Sequence, residues 1–333
     1  MSTAPEAPAG GRRWWWRAGQ ALLWGLAAGW VAFTGLRVLG LEPGWPVVAA
    51  LAYTPYVALA SLGPLGIAAA LRAWRPLVVV AACAAVLVAL VAPRALPASP
   101  PAAAGPQLRV MTANVYGGGG DAATVVELVR RNEVDVLTVQ ELTGPVVEAL
   151  AAAGIDALLP HQELRAGRAA EGSGVYARFP LAVAAELEPG SSFAMPAVRL
   201  QLPGAAATVE LVAVHPVPPL AGQIPVWRRE LRSLPPATPD GAVRVLAGDF
   251  NATLDHAPLR ELLATGYVDA GDATGAGLAG TWRSDRRLGS LLPAVPIDRV
   301  LVDTRVAVDG LSVHRVPGSD HRSVIAELTL PAP

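Results

Sequence analysis

Apolar residues are distributed along this chain in two different ways. Up to residue 95 they form long runs; beyond it they come in blocks of strand length separated by polar loops. The first run, 18–40, is interrupted only by Arg37 near its end, and the second, 46–71, carries no charge. The third, 76–92, has 17 residues, close to the lower limit for a helix that spans a bilayer. Pro55, Gly63 and Pro64 predict a kink or break in the second run, which therefore reads as a bent span or a re-entrant segment. Trp14, Trp15, Trp16, Trp24, Trp30, Trp45 and Trp74 cluster near the run ends, where indole rings favour the interface. The expectation is a membrane region over 18–92 with about three transmembrane helices.

The pattern after residue 106 is that of an α/β domain. Residues 107–114 alternate and read as a strand. Residues 121–132 read as a helix with Asp121 as N-cap and Val125, Leu128 and Val129 on one face. Residues 134–140 form a second apolar strand and 143–153 a helix. Strands follow at 173–178, 181–187, 196–202 and 207–214, then a helix at 222–233, a buried strand at 243–247 and a short helix at 256–264. Residues 300–302, 311–315 and 322–330 are strand-like. Mixed strand–helix units and hairpins of this kind predict two β-sheets packed face to face with helices outside, preceded by the α-helical membrane region.

Composition sharpens the division. The 333 residues are 53% hydrophobic with a mean hydropathy of +0.41, too apolar for one soluble domain and too charged for a pure membrane bundle. Residues 1–103 hold 7 of the 26 arginines and 2 of the 27 acidic residues, which leaves the remainder with a net charge of −6. The chain thus divides into an N-terminus (1–17), the membrane region (18–92), a Pro/Ala-rich tether (93–106) and a soluble domain (107–333). Arg12, Arg13 and Arg17 precede the first run, and Arg72 and Arg75 separate the second from the third. The positive-inside rule puts both groups in the cytoplasm. With three spans everything after Arg94 is extracytoplasmic; with two it faces in. Arg12-Arg13 is a poor twin-arginine signal, because three apolar runs are too many for a cleaved leader. The sole cysteine, Cys83, lies in an apolar run, so no disulfide forms within the soluble domain.

The chemistry-bearing residues each follow an apolar strand. Asn114 ends 107–114 and Glu141 follows 134–140, so both sit at the carboxyl end of a parallel pair, where α/β sheets place ligands. A carboxylate and an amide there suit Mg²⁺, which takes oxygen ligands and keeps several waters. Asp249 and Asn251, two apart, project on the same side and can align one water. In Asp320-His321 the carboxylate is a metal-ligand candidate and the imidazole a base or phosphate contact. Asp298 can hold the other ring nitrogen of His321 and fix its tautomer. His215 ends another strand and can donate to a phosphate or leaving group. Singly these residues read as turns, caps or surface pairs; in this order, each after a strand, they read as one site. Gly117–Gly120 reads as a flexible turn, since no P-loop pattern follows. His161, His256 and His314 have no partners in sequence and read as surface or structural.

These residues resemble the endonuclease/exonuclease/phosphatase superfamily, also called DNase I-like, over essentially all of 107–330. The resemblance rests on Val110-Met111-Thr112-Ala113-Asn114-Val115, Asp135-Val136-Leu137-Thr138-Val139-Gln140-Glu141, Gly172-Ser173-Gly174-Val175-Tyr176-Ala177-Arg178-Phe179-Pro180-Leu181, Ala213-Val214-His215, Gly248-Asp249-Phe250-Asn251, Thr281-Trp282, Ile297-Asp298-Arg299-Val300 and Gly318-Ser319-Asp320-His321-Arg322. It implies a four-layer α/β sandwich. It further implies a metal site of Glu141, Asn114 and Asp320 holding Mg²⁺, with Mn²⁺ as a substitute. Catalytic residues would be Asp249, Asn251, His321, Asp298 and His215, with Arg178, Asn251, Trp282 and Ser319 toward the substrate. For Arg178, phosphate contact and support of a neighbouring carboxylate stay open; Trp282 reads equally as packing near the pocket. His215, where repair endonucleases of the family carry a Tyr-containing segment, is similar to the DNase I, sphingomyelinase and inositol-phosphatase branches. The resemblance thus implies a membrane-anchored phosphodiesterase, with nucleic acid the favoured substrate. The alternatives are a sphingomyelinase-like enzyme acting on lipid or sugar phosphates and an inactive tethered binding module. The net charge speaks against a strong nonspecific DNA grip, although Arg283, Arg286 and Arg287 offer a local basic loop. The bilayer is the one other partner read from the sequence; no protein partner is inferable.

Overall fold

The computed structural model of the chain describes residues 10–205, 207–284 and 291–332. The described residues form two compact units, one from residues up to 41 with 53–92, the other from 42–52 with 93–332. The helices before residue 92 are α1 (Gly10–Leu39), α2 (Trp45–Leu51), α3 (Thr54–Ala60), α4 (Leu62–Ala70) and α5 (Trp74–Val91). Trp16–Leu39 and Trp74–Ala95 are long and apolar enough to cross a membrane, while α2 and the α3–α4 stretch meet at a 71° bend. Pro46 and Pro55 each stand in the first turn of their helix. A proline there has no amide to offer the preceding turn, so the bend falls between α2 and α3. In the first unit α5 packs against α1, α3 and α4. The sequence reading put all of 18–92 in one membrane region; α2 instead folds with the second unit.

The second unit continues with β1 (Gln107–Asn114), α6 (Ala122–Arg131), β2 (Val136–Gln140), α7 (Gly144–Ala152), α8 (Ile155–Leu158), β3 (His161–Arg165), β4 (Ser173–Ala177), β5 (Leu181–Val183) and β6 (Ala197–Leu200). There follow β7 (Val209–Val214), α9 (Ile224–Arg232), β8 (Val243–Asp249), α10 (Ala257–Leu263), β9 (Tyr267–Asp269), α11 (Ala270–Ala273), β10 (Asp298–Asp303), β11 (Ala307–Arg315) and β12 (Arg322–Thr329). Two six-stranded mixed sheets result, in the orders β11-β12-β1-β2-β4-β3 and β5-β6-β7-β8-β10-β9. Period-two alternation builds the layers. Leu108 and Val110 of β1 face Val245 and Val300 of the other sheet, whereas Met111 and Ala113 face α6 and α7. In the second sheet Val212, Val214 and Leu246 pack on Trp227 and Leu231 of α9 and Leu259 of α10. This is the expected four-layer sandwich of two mixed sheets flanked by helices.

Each sheet contains one parallel pair, β1/β2 and β7/β8. Their registers set Asn114 opposite Gln140 and Val214 opposite Gly248, so Asn114, Glu141, His215 and Asp249 all lie at carboxyl ends. The antiparallel partners begin where these strands finish. Asp298 pairs with Asp249, and β12 starts beside the end of β1. Asn114, Glu141, His215, Asp249 and Asp298 therefore reach one rim of the sandwich. Gly248 makes this pairing possible, because a Cβ there would lie 1.9 Å from the Val214 carbonyl oxygen.

The tether is docked rather than free. Arg94 is buried on Asp255 with both guanidinium nitrogens bonded at 2.7 and 2.8 Å. Ala98 N–H donates to Ala273 O and Gly105 N–H to Leu330 O, each at 2.9 Å.

Candidate active site

Asp249 Oδ2 is the centre of the cluster. Asn114 Nδ2 donates to it at 3.1 Å and to Glu141 Oε1 at 3.2 Å. His321 Nε2 lies 3.7 Å and His215 Nε2 3.9 Å from the same oxygen. The other oxygen, Oδ1, accepts from Asn251 N at 2.8 Å. His321 Nε2 is also 3.8 Å from Asp320 Oδ1. Its Nδ1 stands 3.0 Å from both oxygens of Asp298, which fixes the ring orientation and favours a proton on that nitrogen.

Several supports hold these groups. Thr281 Oγ1 accepts from the Ile297 and Asp298 amides at 3.1 and 3.0 Å and pins the start of β10. Trp282 Nε1 donates to Asp320 Oδ2 at 2.9 Å, and its ring lies 6.3 Å from that of His321. Ser319 Oγ donates to Asn114 O at 2.8 Å and accepts from His321 N at 3.0 Å, joining the two loops. Gly318 faces Gly119 so closely that a Cβ would sit 1.9 Å from the Gly119 carbonyl oxygen, and its φ of 82° lies in the left-handed region. The turn at Gly117–Gly120 is thereby fixed against Gly318 beneath Glu141. Glu141 and Asn251 themselves have φ of 55° and 48°, a conformation that costs a non-glycine residue about 1 kcal/mol. Asn251 is held there by its N–H on Asp249, by Trp227 Nε1 donating to its carbonyl at 3.1 Å, and by its Nδ2 donating to Pro216 O at 3.0 Å.

Electrostatics follow from burial among like charges. Burial raises the Glu141 carboxyl above its ordinary value against the pull of the Asn114 amide and His321, and Asp320 raises it further. Burial also raises Asp249, with His321 opposing. For His321, burial acts downward but Asp298 and then Asp249 outweigh it, so the imidazolium is favoured. Burial first, then the charge of His321, push His215 down to about 3. His215 is thus a neutral imidazole, packed 5.0 Å from the Phe193 ring, with no hydrogen-bond partner for Nδ1 among the described residues.

Asn114, Glu141, His215, Asp249, Asn251, Asp298, Ser319, Asp320 and His321 come together, with Trp282 beside them. Arg178 does not. It binds Asp135 at 2.8 Å and Val134 O at 3.0 Å, at the far end of β2 from Glu141, about 17 Å away at strand rise. Of the two roles open in sequence it takes the support of a carboxylate, away from the substrate side. Arg286 and Arg287 lie outside the described residues. Asn114 presents its N–H to the two carboxylates while its oxygen accepts from Tyr116 N at 2.9 Å. Sequence reasoning missed Trp227 and Phe193. Gln140 joins a buried chain, accepting from Thr112 Oγ1 at 2.9 Å and donating to Thr138 Oγ1 at 3.2 Å. The polar residues of β1 and β2 at alternate, otherwise apolar positions were the available signal for that buried chain.

The donor set fits a hard divalent cation. Asp249 and Asp298 bring carboxylate oxygens within 4.8 Å of each other and of His321, whose imidazolium stands beside these oxygens and not among the ligands. Glu141 and Asp320 add further carboxylate oxygens, and oxygen donors of this kind suit Mg²⁺ or Mn²⁺.

The sequence profile of the Endonuclease/Exonuclease/phosphatase family matches residues 111–321. No curated protein matches the chain. Among solved structures, a humanized D. rerio TDP2 is 16% identical, covers 67% of this chain and 98% of that one, and superposes with a TM-score of 0.50. An endonuclease/exonuclease/phosphatase from Beutenbergia cavernae DSM 12333 is 19% identical over 68% of this chain and 72% of that one, TM-score 0.46. Sphingomyelinase C from Streptomyces griseocarneus is 17% identical over 67% and 99%, TM-score 0.45.

Proposed function

We propose, from the premise that the chain belongs to the endonuclease/exonuclease/phosphatase family, that it is a membrane-anchored, divalent-metal-dependent phosphodiesterase with nucleic acid as its substrate. One observation carries the reading: a single carboxylate oxygen, Asp249 Oδ2, lies within 3.9 Å of nitrogens of Asn114, His215 and His321. Such an oxygen, fixed between an amide and two imidazoles, is a positioned acceptor for a proton from an attacking water.

Glu141, steadied by the Asn114 amide, and Asp320, steadied by Trp282, would hold Mg²⁺ or Mn²⁺. When bound, such an ion supplies positive charge against a phosphate oxygen and the leaving group. Asp249, held by Asn251 and Asn114, accepts a proton from water as the water oxygen attacks phosphorus, and the ester P–O bond breaks with the leaving oxygen taking a proton from solvent. His321, kept charged by Asp298, points Nε2–H at the phosphate and stabilises the added negative charge. Neutral His215 offers its Nε2 from the opposite side. Trp282 orients Asp320, and Ser319 ties its loop to that of Asn114.

A second reading, a lipid or sugar phosphodiester, is favoured by exposed apolar residues in loops that follow site residues. Leu220 is 56% and Leu291 78% exposed. The inactive-module reading needs a missing ligand, and each of the family's ligand positions is filled. The test is a Mg²⁺/EDTA-controlled screen of the full chain in detergent against DNA, RNA, phospholipids and phosphomonoesters. Metal-dependent cleavage of DNA or RNA that Glu141→Ala abolishes supports the reading; turnover of phospholipid alone favours the second, and EDTA-insensitive turnover refutes both.

A further inference from the structure

Three successive residues of the loop after β8, four positions beyond Asn251, each bind a residue from before the sandwich. Asp255 takes Arg94 through two bonds. His256 Nδ1 accepts from Thr253 N at 2.9 Å, so its Nε2 carries the proton and donates to Val48 O at 2.9 Å. Burial keeps that ring neutral. Ala257 N–H, at the first turn of α10, donates to Glu42 Oε1 at 2.6 Å, where a carboxylate suits the helix dipole. Arg228 of α9 adds a bond to Glu42 O at 2.8 Å, and Val48 is fully buried in the core that holds Trp227 and Leu254.

Residues 53–92 therefore begin and end at one place on the second unit. The α3–α4 stretch, Thr54–Ala70, is about 25 Å long and α5 about 27 Å at helical rise, near the hydrocarbon thickness of about 30 Å. They are joined at Arg72. A chain that leaves one aqueous face and returns to the same folded unit crosses the membrane an even number of times. We infer that 53–92 is a two-crossing hairpin clamped at both ends on Asp255–Ala257, so that with α1 the total is odd and the N-terminus lies on the opposite side from the sandwich. The charges agree. Arg12, Arg13 and Arg17 then share a side with Arg72 and Arg75, and Glu42 lies on the other. The two-span arrangement, with 46–71 re-entrant and the sandwich on the side of the N-terminus, is excluded because α2 would then be parted from His256. The inference rests on reading the apolar helices as membrane spans and is independent of the reaction.

The experiment uses the full chain with Cys83→Ser, an N-terminal epitope tag and single reporters Ala50→Cys, Leu71→Cys or Gly190→Cys, probed with a membrane-impermeant maleimide. Ala50 and Gly190 are exposed, and a Cβ at Gly190 meets nothing within 4 Å. Pro43→Cys and Asp309→Cys, also exposed, replace any reporter that does not accumulate. The expected result is labelling of Ala50→Cys and Gly190→Cys with the plasma membrane intact, and of Leu71→Cys only after permeabilisation. The tag resists external protease until lysis. Opposite accessibility of Ala50→Cys and Gly190→Cys, external access to Leu71→Cys or the tag, or release of the chain by carbonate overturns the inference.

Discussion

Asp298→Asn removes the largest of the negative charges that hold His321 protonated, the others being Asp249 and Asp320. Both carboxylate oxygens stand 3.0 Å from His321 Nδ1, with the carboxylate and ring 1% and 6% exposed. At an effective dielectric of about 20, a unit charge at 3 Å is worth roughly 5.5 kcal/mol, an upper bound equivalent to about 4 pKa units. Asp249 remains, so a fall of about 2 units or more in the His321 pKa is expected. Asparagine can still accept from Nδ1–H through its amide oxygen, and a neutral ring held in that tautomer has no N–H on the phosphate side. Hydrolysis should fall by about 10²–10⁴-fold, the usual share of a positioned acid or base.

The sign of the stability effect follows from the shift. A histidine whose folded pKa is raised contributes stability that is complete below about 6.5, its unfolded value, and is lost as pH rises through the folded value. The gap in unfolding free energy between the parent and Asp298→Asn should therefore be widest near pH 6 and close toward alkaline pH. Two assays decide: the pH profile of phosphodiester hydrolysis at saturating Mg²⁺, and NMR titration of the His321 ring. An unmoved His321 titration, or a loss of turnover below threefold, would refute the coupling of this pair to the chemistry.

Four further outcomes are expected. Glu141→Ala should lose at least about 10²-fold in Mg²⁺-dependent turnover while its metal-free melting temperature does not fall, because the variant relieves a buried carboxylate; a lower metal-free melting temperature would contradict that account. His215, held near 3, contributes stability that is complete above about 6.5 and is lost as pH falls toward 3, so His215→Gln should flatten the acid limb of the stability–pH curve. Gly248→Ala forces a Cβ to within 1.9 Å of the Val214 carbonyl oxygen and should cost about 3 kcal/mol or more, read by denaturant melts. Arg94→Met strands a buried Asp255 and should cost about 3–5 kcal/mol, whereas Arg94→Met with Asp255→Leu should recover most of it.

The site was legible in the sequence because its residues follow strands that are buried on both faces. β2 and β8 are buried at every position, so they read as unbroken apolar blocks, and the polar residue after each block stands out. The N-cap of α6 was legible for a local reason: Asp121 accepts from Thr124 N at 3.0 Å. What escaped was short or edge structure. β3 is a polar, half-exposed edge strand and β9 has three residues, too few for a period to register. β5 ends at Val183, where a 3₁₀ turn replaces the strand expected to 187. β11 starts earlier than expected and its register shifts between Val308 and Gly310, which breaks the alternation. Of the two roles left open for Arg178, the antiparallel pairing of β4 with β2 selects support of Asp135, because it sets Arg178 at the far end of β2. His256 looked partnerless because its partner, Val48 O, lies 208 residues away in a segment that reads as membrane.

That last pairing bears on how the site keeps its shape. The loop from Asp249 to Ala257 carries a positive-φ residue at Asn251 and is held at both ends by unrelated parts of the chain. On the inner end, Trp227 Nε1 bonds the Asn251 carbonyl. At the outer end, His256 stands edge-on to the same indole, with ring centroids 5.3 Å apart, and takes Val48 on its far nitrogen. Strain of about 1 kcal/mol at Asn251 persists only where the surroundings over-determine it, and here Trp227 is the shared support. A sandwich freed of residues 42–52 would open Trp227 and His256 to water and leave the Ala257 N–H without its carboxylate. The anchor segment and the catalytic loop are consequently one packing problem, and the smallest unit that retains the site's geometry includes residues 42–52.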